Sequence, residues 1–264
     1  MLFYNNYMRY TTQLHAYPGK YPKKRHALQL RWLSTTIGFL ILGLVGAFVI
    51  VASSHTDVSL NLILQGFGVS LVRITISYIA AVVLAVILAI VITASPKIEA
   101  LLLPIFDVLQ SFPSFALFPI LITALASAPE LVIIIVLVVT IIWPILFTII
   151  GSIKNRRIDL EEAASVYGAT GLKRFQHFTV PSLWPSVVTG SIVGWGEGWE
   201  FIIGAELLVR ANQGIGSYLG KLGAAQLNGA LAIGIIVLMM LLFIINKILW
   251  LPLLRNATQY QSDN

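Results

Sequence analysis

The chain has 264 residues, of which 58% are hydrophobic and only 11% are charged, and its mean hydropathy is +0.88. A soluble domain carries about a quarter charged residues, so this composition excludes an ordinary soluble protein and predicts an integral membrane protein. The formal net charge is +6, but the basic residues cluster between apolar stretches, where membrane orientation explains them and nucleic-acid binding is not expected.

The apolar stretches predict six transmembrane helices, because each supplies the roughly 20 residues that one crossing requires. The predicted helices are residues 34–53, 71–94, 100–124, 131–151, 182–208 and 231–251. Pro104, Pro113 and Pro119 interrupt the third of them. The predicted domains are a basic cytoplasmic segment at 1–33, a transmembrane domain at 34–255 that includes a cytoplasmic loop at 152–181, and a tail at 256–264.

The distribution of Lys and Arg orients the predicted helices. With a cytoplasmic N-terminus, fourteen of the 17 basic residues lie on the inner side, Arg210 and Lys221 lie outside, and Arg73 lies near an outer helix end. The positive-inside rule therefore predicts a plasma (inner) membrane protein with both termini in the cytoplasm. The first apolar stretch is longer than the apolar core of a secretory signal, about 7–15 residues, so we expect it to remain as a membrane helix.

A polar segment, NRRIDLEEAASVYGATGLKRFQHFTVP at residues 155–181, separates the fourth and fifth predicted helices. Asp159 can cap a short helix, and Glu162 three residues later completes a capping box. One face of this helix is formed by Leu160, Ala163, Ala164 and Tyr167. Gly168 belongs to the residue type that ends helices, and Pro181 marks the start of the fifth membrane helix. Because so short a helix is marginal in water, we expect it to dock on a protein surface.

This segment resembles the EAA loop of ABC importer permeases, in which EAA is followed by three residues, Gly, nine residues and then Ile-x-Leu-Pro. The positions that match at these spacings are Glu162, Ala163, Ala164, Gly168 and Pro181. Phe178 and Val180 depart from the Ile and Leu of the pattern but remain apolar. Residues 70–92 and 107–122 are similar to the second and third spans of the permease branch for nitrate, sulfonate, taurine and bicarbonate.

The resemblance implies the type I ABC importer permease fold, an all-α membrane protein with a cytoplasmic coupling helix between the fourth and fifth of six spans. It also implies a homodimer that forms the translocation path for a small solute of the nitrate, sulfonate, taurine or bicarbonate kind. An external solute-binding protein would deliver the solute, and ATPase subunits, which bind ATP and Mg, would dock on the coupling helices. No cofactor is expected in this chain. The implied ATPase-coupling residues are Asp159, Glu162, Ala163, Ala164, Tyr167, Gly168 and Pro181.

Catalytic and metal-binding motifs are missing from the sequence. It contains no G-x-x-x-x-G-K-[ST] phosphate loop, no cysteine and no histidine pair at ligand spacing. The glycine-rich run GWGEGWE lies inside a predicted span and has no lysine. We therefore expect neither enzymatic activity nor a metal site, and the energy for transport must come from a partner.

Three glutamates lie within the predicted fifth helix, although a charge at the bilayer centre costs at least about 2.5 kcal/mol. Glu197 and Glu200 differ by about 60° around a helix, whereas Glu206 lies about 180° from Glu197. We interpret Glu197 and Glu200 as lining the translocation path and Glu206 as pairing locally, with Arg73 as the candidate partner. The alternative is that all three bond to neighbouring helices or across a dimer seam.

The fifth helix also carries Gly190, Gly194 and Gly198, whose spacing of four predicts close contact with another helix. Trp195 and Trp199 lie one turn apart in the same helix, and we interpret them as packing residues.

A second polar patch, Asp107, Gln110 and Ser111, lies in the third predicted helix. Pro113 and Pro119 would free backbone carbonyls beside it, which a membrane helix tolerates next to a cavity or a neighbouring helix. We predict that the patch lines the translocation path as part of a gate. The alternative is a helix that is merely kinked for packing.

Ionised carboxylates in the path would repel an anionic solute. Either the carboxylates are protonated, or they face away from the path, or the solute is zwitterionic, cationic or neutral. The resemblance also allows the last case, because some similar permeases carry thiamine precursors. The sequence is further compatible with an ion-coupled secondary transporter that uses Glu197 and Glu200, and with a non-transporting scaffold. A secondary transporter would usually show inverted sequence repeats, and none is found.

Overall fold

The structure, a computed structural model, describes residues 43–52, 58–155 and 180–262. A short apolar helix, α1 (Gly43–Ala52), lies within the predicted first span. The chain divides after Ile50 into two compact units, and the helices that follow belong to the second.

These later helices account for all the regular secondary structure in the described part of the second unit. In chain order they are α2 (Leu60–Ile92), α3 (Pro96–Gln110), a 3-10 turn (Ser114–Leu117), α4 (Phe118–Ala124), α5 (Pro129–Lys154), α6 (Val180–Leu208), α7 (Ile215–Ala224), α8 (Asn228–Ile245), a π-helical turn (Asn246–Trp250) and α9 (Leu251–Ser262).

Three helical segments among the described residues are long and apolar enough to cross a membrane: α2, α5 and the continuous stretch Asn228–Ala257. The bent pair formed by α3 and Ser114–Ala124 passes the same criteria as one broken span. Helix α6 has 29 residues, but its glycines and glutamates make it less apolar. The prediction of an all-helical membrane protein is confirmed in these residues, and the number of six spans stays a prediction.

Helix α2 begins at Leu60, well before the predicted start at residue 71. The hydroxyl oxygen of Ser59 accepts a hydrogen bond from the N–H of Leu62 at 3.4 Å and caps the first turn. Hydropathy placed the start too late because polar and small residues interrupt the apolar pattern here. Small buried residues then recur every four positions on one face of α2, namely Ser77, Ala81, Ala85 and Ala89.

Helix α5 is the centre of the described bundle and packs along both α2 and α6. Its fully buried side chains also recur every four positions, at Ile133, Leu137, Ile141, Ile145 and Ile149. Lipid tails are as apolar as these side chains, so close packing stabilises the contact more than the removal of apolar surface from water does. Small residues on the facing helices allow that packing.

The glycine contact predicted for the fifth span is confirmed, since Gly190, Gly194 and Gly198 all contact α5 or its side chains. A Cβ atom added to Gly190 would lie 2.7 Å from the Cα of Ile145. One added to Gly194 would lie 2.8 Å from the carbonyl oxygen of Ile141. Both distances are shorter than van der Waals contact, so α6 approaches α5 this closely only because glycine occupies these positions.

The third predicted span is broken at one place only. Helix α3 ends at Gln110, and the direction of the chain changes by 84° before the segment Ser114–Ala124. Pro113 occupies the N-terminal cap of the 3-10 turn at this break. Pro104 lies inside α3 and Pro119 lies in the first turn of α4, where no hydrogen bond is lost, so the prediction that these two prolines interrupt the span is wrong.

Helix α7 was missed by the sequence prediction, because ten residues are too few for a span. It follows Gly214, whose φ of +131° is rarely adopted by residues with a side chain. It packs against α2 and α6. The signal that could have revealed it is the apolar stripe of Ile215, Leu219 and Leu222, which are all buried and are spaced as one helix face.

After α8 the helix continues through the π-helical turn and α9 to Ser262, past the predicted end of the sixth span at residue 251. The turn buries Trp250, whose ring lies 5.9 Å from that of Tyr78 and 5.8 Å from that of Trp195 between centroids. Single π-helical turns often occur where a side chain must be redirected at a functional site. Here the turn coincides with an aromatic contact between the last helix and the core.

The close approach of α5 and α6 makes a specific prediction for Gly190→Ala. The added methyl group must push the two backbones apart, so we expect a loss of about 1–3 kcal/mol in the free energy of unfolding. Gly196→Ala is the matched control, because a Cβ atom there meets nothing within 4 Å. Equilibrium unfolding in detergent micelles checks both variants, and equal stabilities would contradict the contact.

Candidate functional site

An open cleft of about 530 Å³ lies where the broken third span faces α5 and α6. It is lined by Gln110, Ser111, Phe112, Pro113, Ser114, Thr140, Trp143, Pro144, Phe147, Glu197 and Phe201. The 84° break between α3 and Ser114–Ala124 exposes this part of the chain to the cleft. The lining combines polar side chains from three elements with four aromatic rings.

Two residues of the predicted polar patch, Gln110 and Ser111, line the cleft, and Asp107 lies one turn behind them. The side-chain amide of Gln110 donates a hydrogen bond to the carboxylate of Asp107 at 2.6 Å. The hydroxyl of Ser111 donates to the backbone carbonyl of Asp107 at 3.3 Å. Asp107 therefore positions the Gln110 side chain, although it does not itself line the cleft.

Helix α6 contributes Glu197, whose half-buried carboxylate reaches the cleft beside Phe201. Glu200 is exposed and does not line the cleft, although its predicted direction on the helix is similar. The structure thus brings Gln110, Ser111 and Glu197 together and leaves Glu200 outside the lining. Thr140 was missed, although a hydroxyl residue in the middle of an apolar helix is itself a signal.

A second polar group, the charge cluster, is buried between α2, the start of α5 and the end of α6. The guanidinium of Arg73 donates from Nη1 to Glu206 Oε1 at 2.7 Å and to the backbone carbonyl of Gln213 at 2.7 Å. It also donates from Nε and Nη2 to the two carboxylate oxygens of Glu130, at 2.7 and 2.5 Å. Arg73 is buried, Glu206 is fully buried, and the Glu130 side chain is 59% exposed.

The second oxygen of Glu206 and its neighbours complete the charge cluster. Glu206 Oε2 accepts a hydrogen bond from the N–H of Gly216 at 2.8 Å, and the hydroxyl of Ser70 donates to Oε1 at 2.6 Å. The N–H of Ile215 donates to the Ser70 oxygen at 2.9 Å. A Cβ atom on Gly214 would collide with the Glu206 carboxylate, so this loop also requires a glycine.

The prediction that Glu206 pairs with Arg73 is confirmed by these contacts. The participation of Glu130 was missed, because it follows Arg73 by 57 residues and no spacing rule links them. The cluster satisfies each oxygen of a carboxylate that would otherwise be too costly to bury. Glu206 is therefore a structural residue and is separate from the cleft.

The interpretation of Trp195 and Trp199 as packing residues is also confirmed. Both side chains are buried, and their rings meet edge to face with centroids 6.3 Å apart. The ring of Phe67 on α2 stacks on Trp199 at 5.0 Å. The Tyr78 hydroxyl beside Trp195 donates a hydrogen bond to the Ser191 hydroxyl at 2.8 Å.

The predicted ATPase-coupling residues Asp159, Glu162, Ala163, Ala164, Tyr167 and Gly168 lie outside the described residues. Pro181, the seventh, lies in the first turn of α6. At the other side of the same loop, Lys154 in the last turn of α5 forms an ion pair with Glu99 in the first turn of α3, with 2.6 Å between Nζ and Oε1. This contact joins the start of the loop to α3, the helix that ends at Gln110 beside the cleft.

A bundle of long apolar helices that contains a polar cleft and a buried charge cluster defines a multi-pass helical membrane protein. Residues 81–250 match the family described as binding-protein-dependent transport system inner membrane component, and the chain belongs to this family. The family is one of transport permeases, not of catalytic subunits, and its inner-membrane character agrees with the apolar helices.

Several curated relatives are permeases of import systems. The chain is 31% identical over 159 residues to the nitrate import permease protein NrtB of Synechocystis sp., a match that covers 59% of this chain and 57% of the relative. It is 25% identical over 181 residues to the taurine transport system permease protein TauC of Escherichia coli, covering 69% and 65%. It is 28% identical over 150 residues to the bicarbonate transport system permease protein CmpB of Synechocystis sp., covering 57% and 53%. The matches thus span between half and two thirds of the length of these relatives.

The charge cluster makes a prediction for Arg73→Gln. Loss of the guanidinium leaves Glu206 buried without its counter-ion, and we expect a loss of about 3–5 kcal/mol in the free energy of unfolding. Glu130→Gln is the matched control, because an exposed partner contributes only about 0–1 kcal/mol. Unfolding in detergent micelles measures both, and a larger loss for Glu130→Gln than for Arg73→Gln would contradict the central role of Glu206.

Proposed function

We propose that the chain is the permease subunit of an ATP-driven importer and forms the translocation path for a small solute. The observation that carries the proposal is the family match across residues 81–250, which includes the EAA-like segment 155–181. The names of the relatives favour a solute related to nitrate, taurine or bicarbonate. An external binding protein delivers the solute, and a second copy of the permease completes the path.

Separate ATPase subunits, which bind ATP and Mg, dock on the segment from Asp159 to Gly168. Two contacts in the described residues support transmission from this docking point. Helix α5 ends directly before the loop and α6 begins directly after it, and the two pack tightly through Gly190 and Gly194, so they must move together. The partly exposed ion pair between Lys154 and Glu99 links only the loop end of α3 to α5, so the rest of α3 can pivot about this contact.

The cleft is the part of the path that this chain supplies. It opens beside the broken third span, at the far end of the helix that Glu99 ties to the loop. Movement of α3 relative to α6 would change the separation of Gln110 and Glu197, which lie on the two walls. A change of this kind alternates access from one side of the membrane to the other. Glu200 lies outside the cleft lining, and its place in the path remains a prediction.

Reconstitution tests this proposal directly. The chain, its ATPase subunits and its binding protein are assembled in liposomes, and uptake of labelled nitrate, taurine and bicarbonate is measured with and without ATP. We expect uptake of at least one solute that requires ATP and every subunit. If the chain alone moved solute along a proton gradient, the secondary transporter that uses Glu197 and Glu200 would replace the importer.

The coupling segment makes a prediction for Gly168→Asp. A charged side chain at the end of the docking helix should block close approach of the ATPase, because burying an unpaired charge is costly, and we expect uptake to fall about tenfold or more. Membrane insertion should be unchanged. Uptake per amount of membrane-inserted protein is the measurement.

Ser165→Asp is the matched control for this variant, because Ser165 lies about 100–200° from Ala163 and Ala164 around a helix. It introduces the same charge in the same segment but away from the face of Ala163 and Ala164, and we expect nearly normal uptake. Equal losses in the two variants would show that the segment does not dock through the face of Ala163 and Ala164.

A further inference from the structure

The residues that line the cleft indicate the charge of the solute, an inference that rests on the proposed function. Glu197 is the one charged residue in its described lining, which contains no Lys, Arg or His. An anion bound in a site of low dielectric needs a cation or several converging hydrogen-bond donors. The lining that the structure describes contains no such cation.

Three of the side-chain hydrogens that the lining could donate are engaged, whereas the second amide hydrogen of Gln110, the Ser114 hydroxyl and the Trp143 indole N–H have no hydrogen bond within the described residues. The hydroxyl hydrogen of Thr140 goes to the backbone carbonyl of Val136 at 2.9 Å. The hydroxyl hydrogen of Ser111 and an amide hydrogen of Gln110 both go to Asp107. A hydroxyl that donates to the backbone still presents its lone pairs, so Thr140 and Ser111 face the cleft mainly as acceptors. Hydrogen-bond acceptors in the cleft suit a solute that has N–H or O–H groups of its own.

Aromatic rings make up much of the remaining lining. The rings of Trp143 and Phe147 have planes 30° apart and centroids 6.5 Å apart, and Phe201 is backed by the stacked ring of Phe115 at 4.3 Å. Phe112 joins them at the break in the third span. The faces of aromatic rings carry partial negative charge and attract cations. Aromatic rings and a carboxylate together form a site that can bind an ammonium group.

The Glu197 side chain has no hydrogen bond and no ion pair within the described residues, although it is half-buried. It lies 17 residues into the 29-residue α6, or about 26 Å along the helix axis, which is past the midpoint of the helix but within the roughly 30 Å that the hydrocarbon core spans. An ionisable group at this depth needs a partner or an aqueous cavity. A passing cation would supply that partner during transport.

We propose that the solute of this permease carries a protonated amine, which Glu197 and the surrounding rings contact as it crosses the membrane. This narrows the solutes suggested by the relatives. Nitrate and bicarbonate have no cationic group, whereas taurine, named for one relative, combines an ammonium with a sulfonate. An amino acid or aminosulfonate offers an ammonium group to Glu197, and its anionic end can accept hydrogen bonds from the donors that remain available in the lining.

Taurine and isethionate provide a matched pair of probes, because isethionate has a hydroxyl group where taurine has the ammonium. Binding of each is measured by calorimetry to the full chain assembled with its ATPase subunits in lipid nanodiscs. We expect a dissociation constant for taurine about tenfold lower than that for isethionate, as a desolvated ammonium contact provides. Nitrate should bind no better than isethionate.

Two variants test whether Glu197 binds the ammonium group. Glu197→Gln should bring the ratio of the two dissociation constants close to one, because it removes the charge and keeps the size. Glu197→Asp, which keeps the charge, should preserve a preference for taurine. Size-exclusion chromatography of each variant with its ATPase subunits checks that both fold.

The outcomes separate this inference from the proposed function, because ATP-dependent uptake is measured in the same preparation. Isethionate or nitrate binding as well as taurine, absence of binding by both sulfonates, or an unchanged taurine preference in Glu197→Gln would overturn the inference while leaving an ATP-driven importer intact. Failure of ATP-dependent uptake for every solute would instead count against the proposed function.

Discussion

Burial of the Glu206 carboxylate is the constraint around which the described bundle is organised. A fully buried carboxylate is tolerated only when its charge and its oxygen atoms are matched, and here Arg73 supplies the charge. Because Arg73 also binds Glu130 and the Gln213 carbonyl, one guanidinium connects α2, α5, α6 and the loop before α7. Moving any of these four elements alone would leave a polar atom without its partner.

The three glutamates of α6 illustrate how one helix can serve different purposes. Glu206 is enclosed by donors, Glu197 faces a cleft without a protein partner in the described residues, and Glu200 is exposed. Their different environments follow from the close packing of α6 on α5. Gly190 and Gly194 fix which side of α6 lies against its neighbour, and the acids are distributed around the sides that remain.

The parts of this molecule that could be predicted from sequence depend on local pattern. Hydropathy and the spacing of four between Gly190 and Gly194 correctly indicated apolar helices and their close contact. The pairing of Glu206 with Arg73 was predictable because few cations lie at that end of the helices, whereas the role of Glu130 depends on tertiary structure. Pro104 shows the limit of a composition rule, since it lies within a continuous helix.

The cleft, too, could be predicted from the sequence only in part. Gln110, Ser111 and Glu197 were candidates because polar residues are rare within apolar stretches, but their convergence depends on the 84° break, whose location hydropathy does not indicate. The break is made by Pro113 and its neighbours, and only the folded backbone distinguishes it from the harmless Pro119. The hydroxyls of Ser111 and Thr140 face the cleft as acceptors because each donates to a backbone carbonyl four residues earlier.

Helix α5 is anchored at both tips by oppositely charged residues, with Glu130 in its first turn bound to Arg73 and Lys154 in its last turn bound to Glu99. A shift of α5 along its own axis by one turn, about 5.4 Å, would break both ion pairs at once. Displacement of α5 along its axis is thereby disfavoured, and the helix is expected to change position only together with the neighbours that hold its two ends.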